Sequence, residues 1–139
     1  MFLLDTNVVS ALRRPDTAPG SLVSWAAAVA VADLYLSAMT LYELELGVQR
    51  IERRDLAQGE ILRNWLARSV RGQFRDRILP IDDAVAARCA SLQVPDPRAE
   101  RDSFIGATAL VHRLVLVTRN VKDFAAMAGL ETFNPWEQQ

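Results

Sequence analysis

The chain has 139 residues, half of them hydrophobic and 24% charged, with a net charge of −1. That balance fits one globular domain over 1–139 and excludes both a disordered chain and two ordinary domains. No apolar run approaches the roughly 20 residues of a membrane helix, Asp5 interrupts the first run, and the single Cys89 excludes an internal disulfide, so a cytoplasmic protein with no membrane partner is expected.

In chain order, Phe2 to Leu4 read as a short buried strand that runs straight into Asp5. A carboxylate there is costly to bury without a partner, so it needs a purpose. A helix is expected over Ser21 to Val31, and "LYLSA" (34–38) reads as the second strand. Thr40 is the expected N-cap of the helix opening in "TLYELELGVQRIE". The following stretch is expected to be helical to about Val70, with Leu56, Ile61, Leu62, Trp65 and Leu66 as its apolar side. Of the 16 basic residues 15 are arginine, and eight of these fall between residues 50 and 77, against four acids. Arginine forks suit phosphate, although a solvated helical face is the simpler account of that spacing.

"RILPI" (77–81) is the third expected strand, and Asp82 the cap of a helix through Leu92. The prolines of "VPDPR" end that helix. A further helix is expected from about Asp102 to His112, then a strand in "LVLVT" (114–118). A short helix near Asp123 and a strand from Glu131 to Phe133 follow. Strands separated by helices predict an α/β fold, its mostly parallel sheet covered on both faces. Ligands bind beyond the carboxyl ends of such strands, and Asp5 falls just there.

Three more carboxylates fall where they can join it: Glu43 early in the helix after strand two, Asp102 at the start of the helix before strand four, and Asp123 after that strand. Four carboxylates with no basic partner would repel one another and drive their pKa values up, and a divalent cation removes that penalty. Oxygen ligands select magnesium, manganese or calcium over zinc. Leu41, Leu44, Val48 and Ile51 form one helical stripe, with Glu45 at its border and Glu43 away from it. Periodicity does not choose between the two acids. His112 shares a face with Asp102 but lies about 15 Å along the helix, too far to pair with it. Cys89 reads as core, and Trp25, Trp65 and Trp136 as packing residues more readily than base-stacking ones.

"LLDTNVVS", "SAMTLYELELG", "RDSFIGATAL" and "LVTRNVKDF" resemble, in order and spacing, the motifs of PIN-domain ribonucleases. They are most similar to the VapC-type toxins of bacterial toxin–antitoxin pairs. The likeness runs from Phe2 to about Trp136 and implies the PIN-like three-layer fold. It places the family's first aspartate at Asp5. It favours Glu43 over Glu45, through a match at Thr40, Glu43, Leu44 and, within one residue, Gly47. Asp102 matches the third acid, ahead of Ile105, Ala107, Thr108 and Ala109, and Asp123 matches the last.

The resemblance implies cleavage of an RNA phosphodiester with Mg2+ or Mn2+ held by Asp5, Glu43, Asp102 and Asp123, leaving a 5′-phosphate and a 3′-hydroxyl. Thr6, Asn7, Thr118, Arg119 and Asn120 fall at supporting positions, with Thr6 or Thr118 placing a water or phosphate and Arg119 offsetting phosphate charge. It also implies a homodimer and a cognate antitoxin, together a toxin–antitoxin hetero-oligomer, with the helices from Thr40 to about Val70 as the docking surface. Two rivals are a non-catalytic PIN-like binding module and an aspartyl-phosphate protein. The four retained acids weigh against the first. The second would want D-x-D, where position 7 is Asn, or an acidic pair upstream that Asp5 has no room for.

Overall fold

A computed structural model describes residues 1–137 of the chain. Its strands are β1 (Phe2–Leu4), β2 (Leu34–Ser37), β3 (Ile78–Leu79), β4 (Val115–Val117) and β5 (Thr132–Phe133). The helices are α1 (Thr6–Leu12), α2 (Gly20–Ala28), α3 (Ala38–Arg54), α4 (Leu56–Trp65), α5 (Asp83–Leu92) and α6 (Glu100–His112). A π-helical turn at Leu66–Arg71 continues α4, and a 3-10 turn at Val121–Phe124 follows β4.

The five strands form one sheet in the order β3-β2-β1-β4-β5, and every pairing is parallel. The chain lays strands outward on one side of β1, then returns to lay β4 and β5 on the other. The crevice beyond the carboxyl ends of β1 and β4 is therefore where strand order reverses, the place where such sheets bind ligands.

Alternation along the strands builds two cores, because successive side chains point to opposite faces. Leu4 and Val117 face one core, with Val8, Leu22, Leu44, Val48 and Leu66. Leu3 and Leu116 face the other, with Val85, Cys89, Ile105 and Phe124. Helices cover both faces, so the three-layer α/β architecture expected from the sequence is present.

Several local expectations are corrected. No helix was expected between Asp5 and Ser21, yet Thr6–Leu12 is helical, with Asp5 as its cap: the Asp5 side chain accepts from the Thr6 N–H. Seven residues with the β-branched pair Val8 and Val9 carry little helical signal of their own, and burial of those two valines holds the element in place. Thr40 does not cap α3. Ser37 does, accepting from the Met39 N–H at 3.0 Å, and Thr40 lies fully buried in the first turn. Asp102 is the third residue of α6, not its cap, since the helix forms as soon as Pro97 is cleared.

On α4 the expected apolar side is divided. Trp65 and Leu62 pack against the core and Leu66, just beyond the helix, is buried within it, while Leu56 is 84% and Ile61 58% exposed. Ile61 precedes Leu62, and one residue turns the side chain 100° around the helix. Asp82 does cap α5, accepting from the Val85 N–H at 3.0 Å. Among the described residues, no helix is long and apolar enough to cross a membrane.

Candidate active site

The first residue past β1 is Asp5, only 6% exposed. Its backbone N–H donates to the Val117 carbonyl, which pins the end of β1 to the end of β4. Its carboxylate is oriented from three directions. Oδ1 accepts from the Thr6 N–H at 2.8 Å, while Oδ2 accepts from the Thr118 hydroxyl at 2.7 Å and the Asn7 amide at 3.3 Å. Burial still pushes the Asp5 carboxyl above the ordinary carboxylate range, against the pull of those donors.

Thr118 is completely buried and works in two directions, donating to Asp5 and accepting from the Asn120 N–H at 3.0 Å. Asn7 bridges strand ends in the same way: its amide nitrogen faces Asp5 while its amide oxygen accepts from the Arg119 N–H at 3.3 Å. So Asn7 and Thr118 support the site through their side chains, whereas Arg119 and Asn120 enter this network through backbone N–H groups. The Arg119 guanidinium lies instead over the Trp136 ring.

From α3, Glu43 reaches the site and Glu45 does not. The Thr6 hydroxyl donates to a Glu43 carboxylate oxygen at 2.7 Å, with the buried Thr40 hydroxyl 3.3 Å from that of Thr6. Glu45 accepts two hydrogen bonds from Arg63, at 2.7 and 2.8 Å. Slight burial would raise its pKa, but the Gln49 and Arg63 donors outweigh that and lower it. Arg63 also pairs with Glu52, which locks α4 onto α3.

α6 supplies Asp102 from its first turn. Burial pushes its carboxyl up to about 6, and the negative charges of Asp5, Asp123 and Glu43 add to the shift. Three acids from separate parts of the fold thus load charge onto Asp102. Asp123 itself is exposed on the 3-10 turn after β4.

One basic side chain beside the acids was missed from sequence. The Arg101 guanidinium lies 3.7 Å from the second Glu43 oxygen and 5.2 Å from the centre of the Tyr42 ring. Its only sequence signal is adjacency to Asp102 in "RDSF", which does not say which way a helical arginine turns. His112 ends α6 on the exposed surface, away from the acids.

The donor set fits a hard divalent cation: Asp102 feels the charge of three other carboxylates, and Arg101 offers only a long contact to one of them. Among the described residues, however, no three histidine, cysteine or acidic side chains already stand close enough to cage an ion. The acids are gathered within electrostatic reach, and ligation would draw them inward.

An all-parallel sheet with acidic side chains gathered at its strand-order reversal defines an α/β protein with a candidate metal site. A family model for the PIN domain matches residues 2–130, and the chain belongs to that family. Toxin FitB of Neisseria gonorrhoeae is 38% identical over 98% of this chain and 99% of its own length. The solved structure of FitAcB from the same organism superposes with a TM-score of 0.89 at 37% identity, covering 99% of this chain and 100% of that one. VapC ribonuclease Y4jK of Sinorhizobium fredii is 35% identical over 99% of each chain. A toxin–antitoxin complex from Klebsiella pneumoniae has a chain that matches with a TM-score of 0.68 at 28% identity, covering 99% of this chain and 100% of that one.

Proposed function

We propose that this chain is a metal-dependent endoribonuclease, the toxin of a toxin–antitoxin pair. The observation that carries the reading is the loading of Asp102 by Asp5, Asp123 and Glu43 at the strand-order reversal. Structural proteins rarely gather acids this way, because each pays the repulsion of the others. A relative named as a ribonuclease and another named as a toxin support the same reading.

Asp5, Glu43 and Asp102 would hold Mg2+ or Mn2+, with Asp123 as the outer fourth member. When bound, such an ion supplies Lewis-acid chemistry, easing ionisation of an attacking water and offsetting charge on the phosphate. The chain's own residues set the geometry. Thr6 and Thr118 each donate to a carboxylate at 2.7 Å and fix Glu43 and Asp5. Arg101 leans on Glu43 and would offset the charge of a phosphate arriving beside it. A 5′-phosphate and a 3′-hydroxyl are the ends the family resemblance implies.

A cognate antitoxin would neutralise the toxin, a pairing that the toxin–antitoxin complex from Klebsiella pneumoniae supports, and the assembly would include a homodimer. The α3–α4 hairpin, with Leu56 and Ile61 exposed, supplies apolar area for the antitoxin. The working place is the cytoplasm, where the RNA is.

The test is cleavage of a mixed RNA pool by antitoxin-free protein with Mg2+, with Mn2+ and with chelator, beside Asp5→Asn. Metal-dependent cuts that vanish in the variant are expected. Folded protein that binds the ion yet cuts nothing in the pool would overturn the reading.

A further inference from the structure

We propose that Arg119 and Trp136 form a stacking platform that seats an unpaired nucleotide of the substrate RNA beside the acidic cluster, an inference that rests on the ribonuclease reading. The Arg119 guanidinium carbon lies 5.6 Å from the centre of the Trp136 ring. Arg119 is exposed and Trp136 half-buried, packed against the edge of the core, so the pair stands where core meets surface.

Two hollows flank it, and both residues line each one. The first, of about 350 Å³, is bordered by Asn7, Arg14 and Thr17. The second, of about 490 Å³, is bordered by Asn120, Lys122, Asp123, Asn134 and Glu137. Volumes of that order suit small-molecule-sized groups such as a nucleotide. Asp123 belongs to the acidic cluster, so the second hollow adjoins the site of cleavage.

The platform is also tied to Asp5 by hydrogen bonds. Asn7 links Asp5 to the Arg119 N–H, and the Asn134 amide donates to the Arg119 carbonyl at 3.3 Å. The Asn134 oxygen accepts from the Trp136 N–H at 2.9 Å. One network therefore sets the positions of the first acid and of the aromatic pair together.

The chemistry selects the ligand. Arg14, Arg119 and Lys122 carry positive charge along the two hollows, against Asp123 and Glu137. Cations track a phosphate backbone, while indole and guanidinium planes stack on any base whose face is free. Bases in a duplex are covered on both faces, so the fitting ligand is single-stranded RNA.

The test uses a fluorescently labelled 12-nucleotide single-stranded RNA of randomised sequence, titrated in chelator so that it binds without being cut. Trp136→Leu and Arg119→Gln should each weaken binding by roughly tenfold, within the range measured for lost base stacking. Trp136→Phe, which keeps a ring, should bind within about threefold of wild type, since any π-face stacks. Wild-type tryptophan emission should fall on binding, and that quench should shrink in Trp136→Phe. Arg119 is exposed, so Arg119→Gln separates the platform from any folding defect of Trp136→Leu.

Unchanged RNA binding in both Trp136→Leu and Arg119→Gln would overturn the platform. So would loss of antitoxin binding alone, which would make the pair a protein contact. Asp5-dependent cleavage of the RNA pool by wild type is scored separately, so the nuclease reading survives either result.

Discussion

At Asp5, burial pushes the carboxyl pKa up while the Thr118, Thr6 and Asn7 donors pull against it. Removing the Thr118 hydroxyl takes away the 2.7 Å bond to Oδ2 and leaves the 3.3 Å amide of Asn7. Thr118→Val should therefore weaken Mn2+ binding and cleavage by about 10- to 100-fold, the usual cost of losing a group that orients a ligand. Thr118→Ser, which keeps the hydroxyl, should recover most of it. Asp102 yields a prediction with a definite sign. Its folded pKa of about 6 exceeds the ordinary 3.8, so the folded state binds its proton more tightly than the unfolded state. Stability from this group is then greatest at low pH and is lost as pH rises from about 4 through about 6. In chelator at pH 7.5, Asp102→Asn should be more stable than wild type by on the order of 1 kcal/mol, the shift being discounted for solvent. Near pH 4 the two should melt together, and thermal melts at both pH values check this.

At the scale of elements, α3 turns two acids to different tasks. Glu43 faces Thr6 and the crevice, while Glu45 is held by Arg63 from α4. Glu43→Gln should lower cleavage by at least about 100-fold, the scale of a group acting at the reacting centre. Glu45→Gln should leave cleavage within about twofold and cost the fold less than about 1 kcal/mol, as expected of a partly exposed ion pair. Parallel kinetics and melts separate the two. Hydrophobic periodicity alone left these acids undecided because it reports which side of a helix is buried, not what the polar sides meet. Family motifs favour Glu43, and the structure turns Glu43 toward Thr6 while Arg63 holds Glu45. The strands were readable because β1, β2 and β4 are short apolar runs bounded by polar residues. Helix starts were less readable: Ser37, at the junction of β2 and α3, is spelled like part of the strand, and α1 is too short to show a period. Arg101 was invisible for a related reason, since its role depends on α3 and α6 lying side by side.

For the whole molecule, the parallel sheet is what assembles the site. Asp5 comes from the end of β1, Glu43 from α3 after β2, Asp102 from α6 before β4, and Asp123 from the turn after β4. Sequence patterns predicted that these acids share an edge, but how far apart they stand is set by packing and was not legible. The charges of the other three reach Asp102, yet among the described residues no three already form a cage. A cation that closes the cluster binds the folded chain alone and must stabilise it, by about 2.7 kcal/mol at a hundredfold excess over Kd. The measurement that bears most directly on the account is a calorimetric titration of Mn2+ into wild type, Asp5→Asn and Asp102→Asn at pH 7.5. Saturable binding by wild type that is weakened at least about tenfold in both variants is the predicted result. Equal binding by all three proteins, or none by folded wild type, would contradict a metal centre built on these carboxylates.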